Sequence, residues 1–372
     1  MKNLIKYPIF LLLIILLSCE SEKKPSASKT QLITFILSNK NNCSVTITNF
    51  GATVMSINVP DKNGKLENIV LGYDTPEEYI EGNPYFGSII GRYGNRIDKG
   101  KFILDDTEYS LATNNGNNHL HGGPNGFHNV VWDVVAYKND HEQHFVKFKY
   151  FSKDGEEGYP GNLIVYVKYL LTNENELVID YEASSDNNTI INLTHHSFFN
   201  LKDGGKSDIL NHELQIFADR FISVNEELIP TGQMPEVKGT PMDFTELTSI
   251  GHRIHDQYKQ LQYGKGYDHN WVLNTTAEAL VLAAIVQEPV TGRKMEVFTT
   301  EPGLQFYSGN FLDGTDIGRD RIKYQFRSAF CLEAQHYPDS PNQYNFPSVV
   351  LRTGEIYKQR TIYKFSVIEP NE

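Results

Sequence analysis

Over most of its length the chain alternates apolar and polar residues with a period of two. "HFVKFKYFS" (144–152), "LIVYVKYLLT" (163–172), "ELVIDYEAS" (176–184), "ALVLAAIVQEPV" (279–290) and "KMEVFTT" (294–300) all carry β-branched or aromatic residues in this pattern. "SVTITNFGATVMSINVP" (44–60) keeps it across one break. That period places alternate side chains on one face of a strand. Turn residues punctuate the runs: Asn63-Gly64, the "TNENE" segment at 172–176 and Thr291-Gly292. Only "DFTELTSIGHRIHDQYKQL" (243–261) has a spacing that predicts a helix, and weakly. No fixed-length repeat occurs, and no strand–helix alternation suggests a doubly wound parallel sheet. The pattern predicts a single large antiparallel all-β domain over 32–372, with no internal linker.

The start of the chain reads differently. Lys2 and Lys6 precede "PIFLLLIILLS", an apolar run too short to span a membrane comfortably. Leu16-Leu17-Ser18-Cys19 resembles the lipobox of bacterial lipoproteins, in which the signal peptide is cut before the Cys and the Cys is lipidated. The alternative is an ordinary signal peptide with a chance cysteine. Residues 1–18 are therefore expected to be a signal peptide, and 19–31 a lipidated Cys19 with a flexible polar tether. A membrane-anchored, extracytoplasmic protein follows, in the periplasm or at the outer membrane of a bacterium. Cys43 and Cys331 remain, too few for a disulfide framework and without zinc spacing, and are expected to be buried free thiols.

The formal charge is −12, and the leader holds two of the lysines, so the rest is more acidic still. Phosphate polymers would be repelled, which excludes nucleic acid as a partner and favours a small neutral ligand. There is no dinucleotide fingerprint, no P-loop, no G-x-S-x-G and no H-E-x-x-H.

Five polar clusters interrupt the apolar pattern. "NLTHHSFFNL" (192–201) puts His195 and His196 in an otherwise neutral run. They suit a metal, a proton-transfer site or no special task. On a strand the two rings point to opposite faces and cannot share one metal, so one ring faces a pocket. "NNHLHGG" carries His119 and His121 at i and i+2, on one face if the segment is a strand. The carboxylate that an H-x-H metal site would supply next is missing from Pro124–Phe127, and Gly122 and Gly123 end the strand, which favours a pocket-rim loop. "IIGRYGNRIDKG" offers Arg92, Asn95 and Arg96; a surface loop with solvated arginines is the plainer reading. In "GKGYDHNWVL", Asp268 near Trp271 suits a hydroxylated ligand: a carboxylate grips hydroxyls and an indole packs on C–H faces. In "SAFCLEAQHYP", Glu333 sits inside an apolar strand and shares a face with Cys331 and Gln335. An inward Glu costs free energy unless it is partnered or used. Together these residues suit acid–base work on a neutral polyol, with no metal and no cofactor.

At this point the chain resembles the aldose 1-epimerase (galactose mutarotase) family. The resemblance runs in order through "NFGATVMSINVPDKNGK", "YFGSIIGRYGNRIDKGKF", "NHLHGG", "GEEGYPGNL", "NLTHHSFFNL", "GYDHNWVL", "PGLQFYSGNFLDG" and "FCLEAQHYPDSPNQYNFP". It implies a large antiparallel β-sandwich of the supersandwich type and interconversion of the α and β anomers of free aldoses. It implies Glu333 as general base and His196 as general acid. Arg96, His121, Asp268 and Gln305 correspond to the substrate-binding set, with Asn95 as a fifth contact. His128 and Phe198 depart from the family pattern, at positions where an acidic residue and a Tyr are common. On this reading an ionised Glu333 takes the C1 hydroxyl proton and a protonated His196 gives one to the ring oxygen; roles reverse on reclosure. His195 becomes structural. The rivals are a hexose-6-phosphate mutarotase, which needs a phosphate pocket, a binding protein that has lost catalysis, and a metal-dependent isomerase using "HLH".

Overall fold

The computed structural model describes residues 31–82, 84–275 and 279–368. The expected signal peptide, the tether and Cys19 lie outside the described residues.

The longest strands form a nine-stranded antiparallel sheet. Its order is Asp133–Asn139, His144–Ser152, Leu163–Leu171, Glu176–Ser185, Tyr357–Val367, Arg293–Thr299, Val281–Glu288, Glu213–Ile216 and Thr248–Ser249. Period-two patterning explains it directly. In Leu163–Leu171 buried and half-buried residues alternate without a fault, with Leu163, Val165, Val167 and Tyr169 inward. The predicted turns connect neighbouring strands: Asn175 and Gly292 both take left-handed backbone angles there.

Two four-stranded antiparallel sheets accompany the large one. The first joins Thr34–Ser38, Ser44–Thr48, Thr53–Pro60 and Leu66–Asn68; the second joins Arg220–Phe221, Asp268–Val272, Gly303–Tyr307 and Cys331–Gln335. Val165 and Val167 of the large sheet, Val45 and Ile47 of the first small sheet, and Phe306 and Leu332 of the second belong to one apolar core. The result is an all-β sandwich. Tyrosine and glutamine side chains tie the layers. Tyr363 Oη donates to the Leu332 carbonyl at 3.0 Å and Gln359 Nε2 to the Ala334 carbonyl at 3.1 Å. Both bonds hold the strand Cys331–Gln335 against the large sheet.

The helix predicted over 243–261 is not there. That segment contains the short strand Thr248–Ser249 and a 3-10 turn at Ile250–His252, and only its end joins the helix Lys259–Gly264. Ile250, Ile254 and Leu261 are buried. Their spacing reflects a loop laid over the core, each apolar residue dropped inward, rather than one helical face.

Candidate active site

Three adjacent strands build one wall of the site. Antiparallel register sets Asp268 opposite Tyr307, and Gln305 opposite both Asn270 and Glu333. Alternation sends Asp268, Gln305 and Glu333 to one face, while Trp271, Leu304, Phe306 and Leu332 enter the core on the other. Trp271 is fully buried and its indole N–H donates to the Met242 carbonyl, so it is not the sugar platform expected beside Asp268. The two are three positions apart on a strand, an odd offset that puts them on opposite faces.

The other wall comes from loops and two-residue ladders. Thr194–His195 pairs with Ile89–Ile90, and the backbone of His196 is clamped on both sides: its N–H donates to Ser88 O and its carbonyl accepts from Gly87 N–H, each at 3.0 Å. His195 points away, its Nε2 2.7 Å from Ser197 Oγ and its ring between Tyr169 and Tyr363. The rings of the double histidine do diverge.

His119 and His121 diverge too, against the same-face expectation for H-x-H. The strand stops at Leu120, and His121 has φ +52. His119 turns inward to the Ala112 carbonyl and Tyr159 Oη. His121 turns to the cavity, with Gly122 behind it at φ +82, where an added Cβ would lie 1.8 Å from Gly91 O.

The arginines are not solvated. Arg92 is 2% exposed, and its guanidinium donates to the carbonyls of Ser152, Lys153, Pro160 and Gly161 and to the hydroxyls of Ser152 and Thr189. It is a structural pin. Arg96, 8% exposed, lines the cavity with its guanidinium 3.9 Å from Asp268 and its Nε donating to Asn115 Oδ1.

The cavity these walls enclose has a volume of about 560 Å³ and is lined by Asn95, Arg96, His121, His196, Asp268 and Glu333. His196 Nε2 stands 3.4 Å from Glu333 Oε1. Gln305 is set behind: it lines a small adjoining pocket, and its amide N–H donates to Asp268 Oδ1 at 2.7 Å. Tyr85, Phe198, Tyr307 and Phe311 supply apolar wall. Of these, Tyr307 was within reach of sequence reasoning, because it shares the alternation face of Gln305. Cys43 and Cys331 are both free and buried; Cys331 Sγ lies 3.6 Å from His196 Nδ1.

Burial dominates the electrostatics. It holds the Glu333 carboxyl well above the usual range, with the Asp268 charge adding and Arg96 opposing. It pushes His196 down to about 4 and His121 well below its usual value. Burial thus favours neutral Glu333 and neutral His196, where the resemblance implies an ionised Glu and a protonated His. Desolvation penalises both charged forms, and a proton moved from His196 to Glu333 relieves both penalties at once.

His121, His196 and Glu333 also lie close enough to suggest a metal, their ligand atoms within 4.8 Å of one another. The tautomer of His121 argues against it. Its Nδ1 accepts the Asn95 backbone N–H at 3.1 Å. In the neutral ring the proton is then on Nε2, which makes His121 a hydrogen-bond donor toward the cavity and leaves no lone pair for a metal.

Fold and cavity together define an all-β sandwich whose buried, polar cavity carries a carboxyl–imidazole pair at its floor. The model of the family described as aldose 1-epimerase matches residues 34–364. The galactose mutarotase of Bos taurus is 45% identical over 323 residues, 87% of this chain and 91% of that one. The aldose 1-epimerase of Escherichia coli (strain K12) is 38% identical over 343 residues, 92% and 96% of the two chains. The crystal structure of a galactose 1-epimerase from Lactobacillus acidophilus NCFM is similar at TM-score 0.81 and 30% identity, covering 94% of this chain and 98% of that one. The chain belongs to the aldose 1-epimerase family.

Proposed function

We propose that the protein interconverts the α and β anomers of free aldoses of the glucose and galactose type, by acid–base opening and reclosure of the sugar ring. The observation that carries the residue assignment is the Glu333–His196 pair, 3.4 Å apart at the floor of the polar cavity. Mutarotation needs one group to take the C1 hydroxyl proton and another to protonate the ring oxygen. As the C1–O5 bond breaks, the hydroxyl proton passes to the Glu333 carboxylate and the His196 imidazolium proton passes to O5. The open-chain aldehyde then stands beside a protonated Glu333 and a neutral His196. Rotation about C1–C2 and reclosure return both protons and give either anomer. Burial favours the neutral pair, which is the protonation state that accompanies the open chain. The site's desolvation therefore lowers the energy of that state relative to the charged pair.

Arg96, the Nε2–H of His121 and the Asp268 carboxylate converge on the same space and suit the remaining hydroxyls. Gln305 acts through Asp268 by orienting it. Asn95 fixes the His121 tautomer through its backbone and lines the cavity.

The test is polarimetry on fresh α-D-glucose and α-D-galactose with wild type and His196→Asn. Wild type accelerates the approach to equilibrium, and the variant, folded by circular dichroism, loses at least about 100-fold in kcat. A His196→Asn enzyme at wild-type rate would remove His196 from the mechanism. The address is proposed separately: Cys19 carries the lipid and holds the enzyme outside the cytoplasm. Mass spectrometry of the mature N-terminus reads it directly, and an unmodified Cys19 would refute it.

A further inference from the structure

Tyr85 lines the cavity and opens the motif "YFGSIIGRYGNRIDKGKF", and the resemblance gave it no task. Its backbone lies at φ +71, a left-handed conformation that a bulky L-residue rarely adopts. Nothing about the turn is loose. Ser88 N–H donates to Tyr85 O at 3.2 Å, Gly87 N–H to His196 O at 3.0 Å and Val54 N–H to Gly87 O at 2.8 Å. The same backbone that clamps His196 therefore holds Tyr85 in its strained form.

The ring is placed among three histidines. Its centroid is 4.7 Å from His121, 4.7 Å from His128 and 5.7 Å from His196. Several buried tyrosines elsewhere satisfy their hydroxyls, Tyr181 being an exception: Tyr93 bonds the Tyr337 carbonyl, Tyr169 the Ala52 carbonyl and Tyr363 the Leu332 carbonyl. Tyr85 is half-buried on the cavity wall, and among the described residues its hydroxyl has no protein partner. A rigid turn thus sets a tyrosine with an unpartnered hydroxyl on the wall of the cavity, where a hydroxylated ligand can reach it.

We propose that Tyr85 is a further substrate-binding residue, whose hydroxyl hydrogen-bonds a sugar hydroxyl while its ring walls off His196. Arg96 lines the same cavity; burial raises the Tyr85 phenol and the positive charge of Arg96 draws it back down. The proposal rests on the aldose reading of the site and adds a contact to it.

Three variants test it. Tyr85→Phe removes only the hydroxyl. KM for D-glucose or D-galactose rises about fivefold or more, the factor a net hydrogen bond is worth, while kcat stays within about twofold. Tyr85→Ala and Tyr85→Gly both remove the ring, and the Gly variant melts at the higher temperature because only Gly accepts φ +71 freely. Calorimetric titration of D-galactose into wild type and Tyr85→Phe reads the contact without turnover. An enzyme that binds but does not turn over would sink the mutarotase reading and leave the Tyr85 contact standing. Tyr85→Phe with KM and affinity for both sugars within twofold of wild type overturns the proposal.

Discussion

Replacing Glu333 with Gln should remove activity and raise stability together, and the pairing of the two effects is what makes the experiment decisive. Gln is nearly isosteric but cannot take a proton. General acid–base catalysis contributes about 10²–10⁴-fold, so kcat should fall by at least about 100-fold. Stability moves the other way. The Glu333 side chain is 2% exposed, its Oε2 has no hydrogen-bond partner among the described residues, and burial raises its pKa well above the usual value. A carboxyl whose folded pKa is raised binds its proton more tightly in the folded chain. Below the unfolded pKa of about 4.3 both states are protonated and nothing is lost. As pH climbs from there to the raised folded pKa, each pH step of one costs the folded chain about 1.4 kcal/mol relative to the Gln variant. Above the folded pKa the loss is complete and stays constant. In a domain of roughly 340 residues each kcal/mol is worth about 1–2 °C in Tm. Thermal unfolding from pH 4 to pH 8, beside polarimetry on α-D-glucose, measures both. The Tm gap should be small at pH 4 and widen toward neutrality with the Gln variant the more stable. A gap that does not change with pH would refute the raised carboxyl; a kcat within tenfold of wild type would refute the base.

Other substitutions separate charge, structure and metal chemistry. The Asp268 charge is the second cause of Glu333's raised pKa, so Asp268→Asn should move the Glu333 limb of the pH–rate profile to lower pH and raise KM about tenfold or more; an unshifted limb would contradict the coupling. Arg92→Met leaves several buried acceptors unpaired and should cost about 3 kcal/mol or more in denaturant unfolding, while the folded enzyme keeps its kcat; loss of kcat without loss of stability would reverse the assignment as a pin. Exhaustive chelation should leave the mutarotation rate unchanged, as the His121 tautomer requires, and a chelator-sensitive rate restored by zinc would show that argument to be wrong.

The long strands were legible because burial and alternation coincide in them, as Leu163–Leu171 shows residue by residue. Glu333 was legible for the same reason: a carboxylate on the inward face of an apolar strand has to be explained. The misreadings share a physical cause. His119, His121, Arg92 and Arg96 lie where strands last two residues and backbone angles turn positive. Alternation cannot be counted through φ +52, so the face of each side chain there was set by tertiary contacts, not by spacing. Trp271 failed more simply, since closeness in sequence is not closeness in space. The segment 243–261 imitated a helix because a loop covering a core must also drop an apolar residue every few positions. Tyr85 stands at the head of the motif "YFGSIIGRYGNRIDKGKF", but the sequence does not print the left-handed backbone angle at which it is held.

The last strand among the described residues, Tyr357–Val367, lies in the middle of the nine-stranded sheet, paired with Glu176–Ser185 on one side and Arg293–Thr299 on the other. Until it arrives, the large sheet exists as two fragments with bare inner edges. The same strand supplies Tyr363 and Gln359, which hold the Glu333 strand in place. A growing chain therefore cannot complete either its core or its site before this strand has been made, and contacts of such long sequence separation form slowly. The topology keeps the chain open until that strand docks. Bare sheet edges are templates on which another chain can pair, so the central position of this strand makes the time before it docks the interval of greatest aggregation risk.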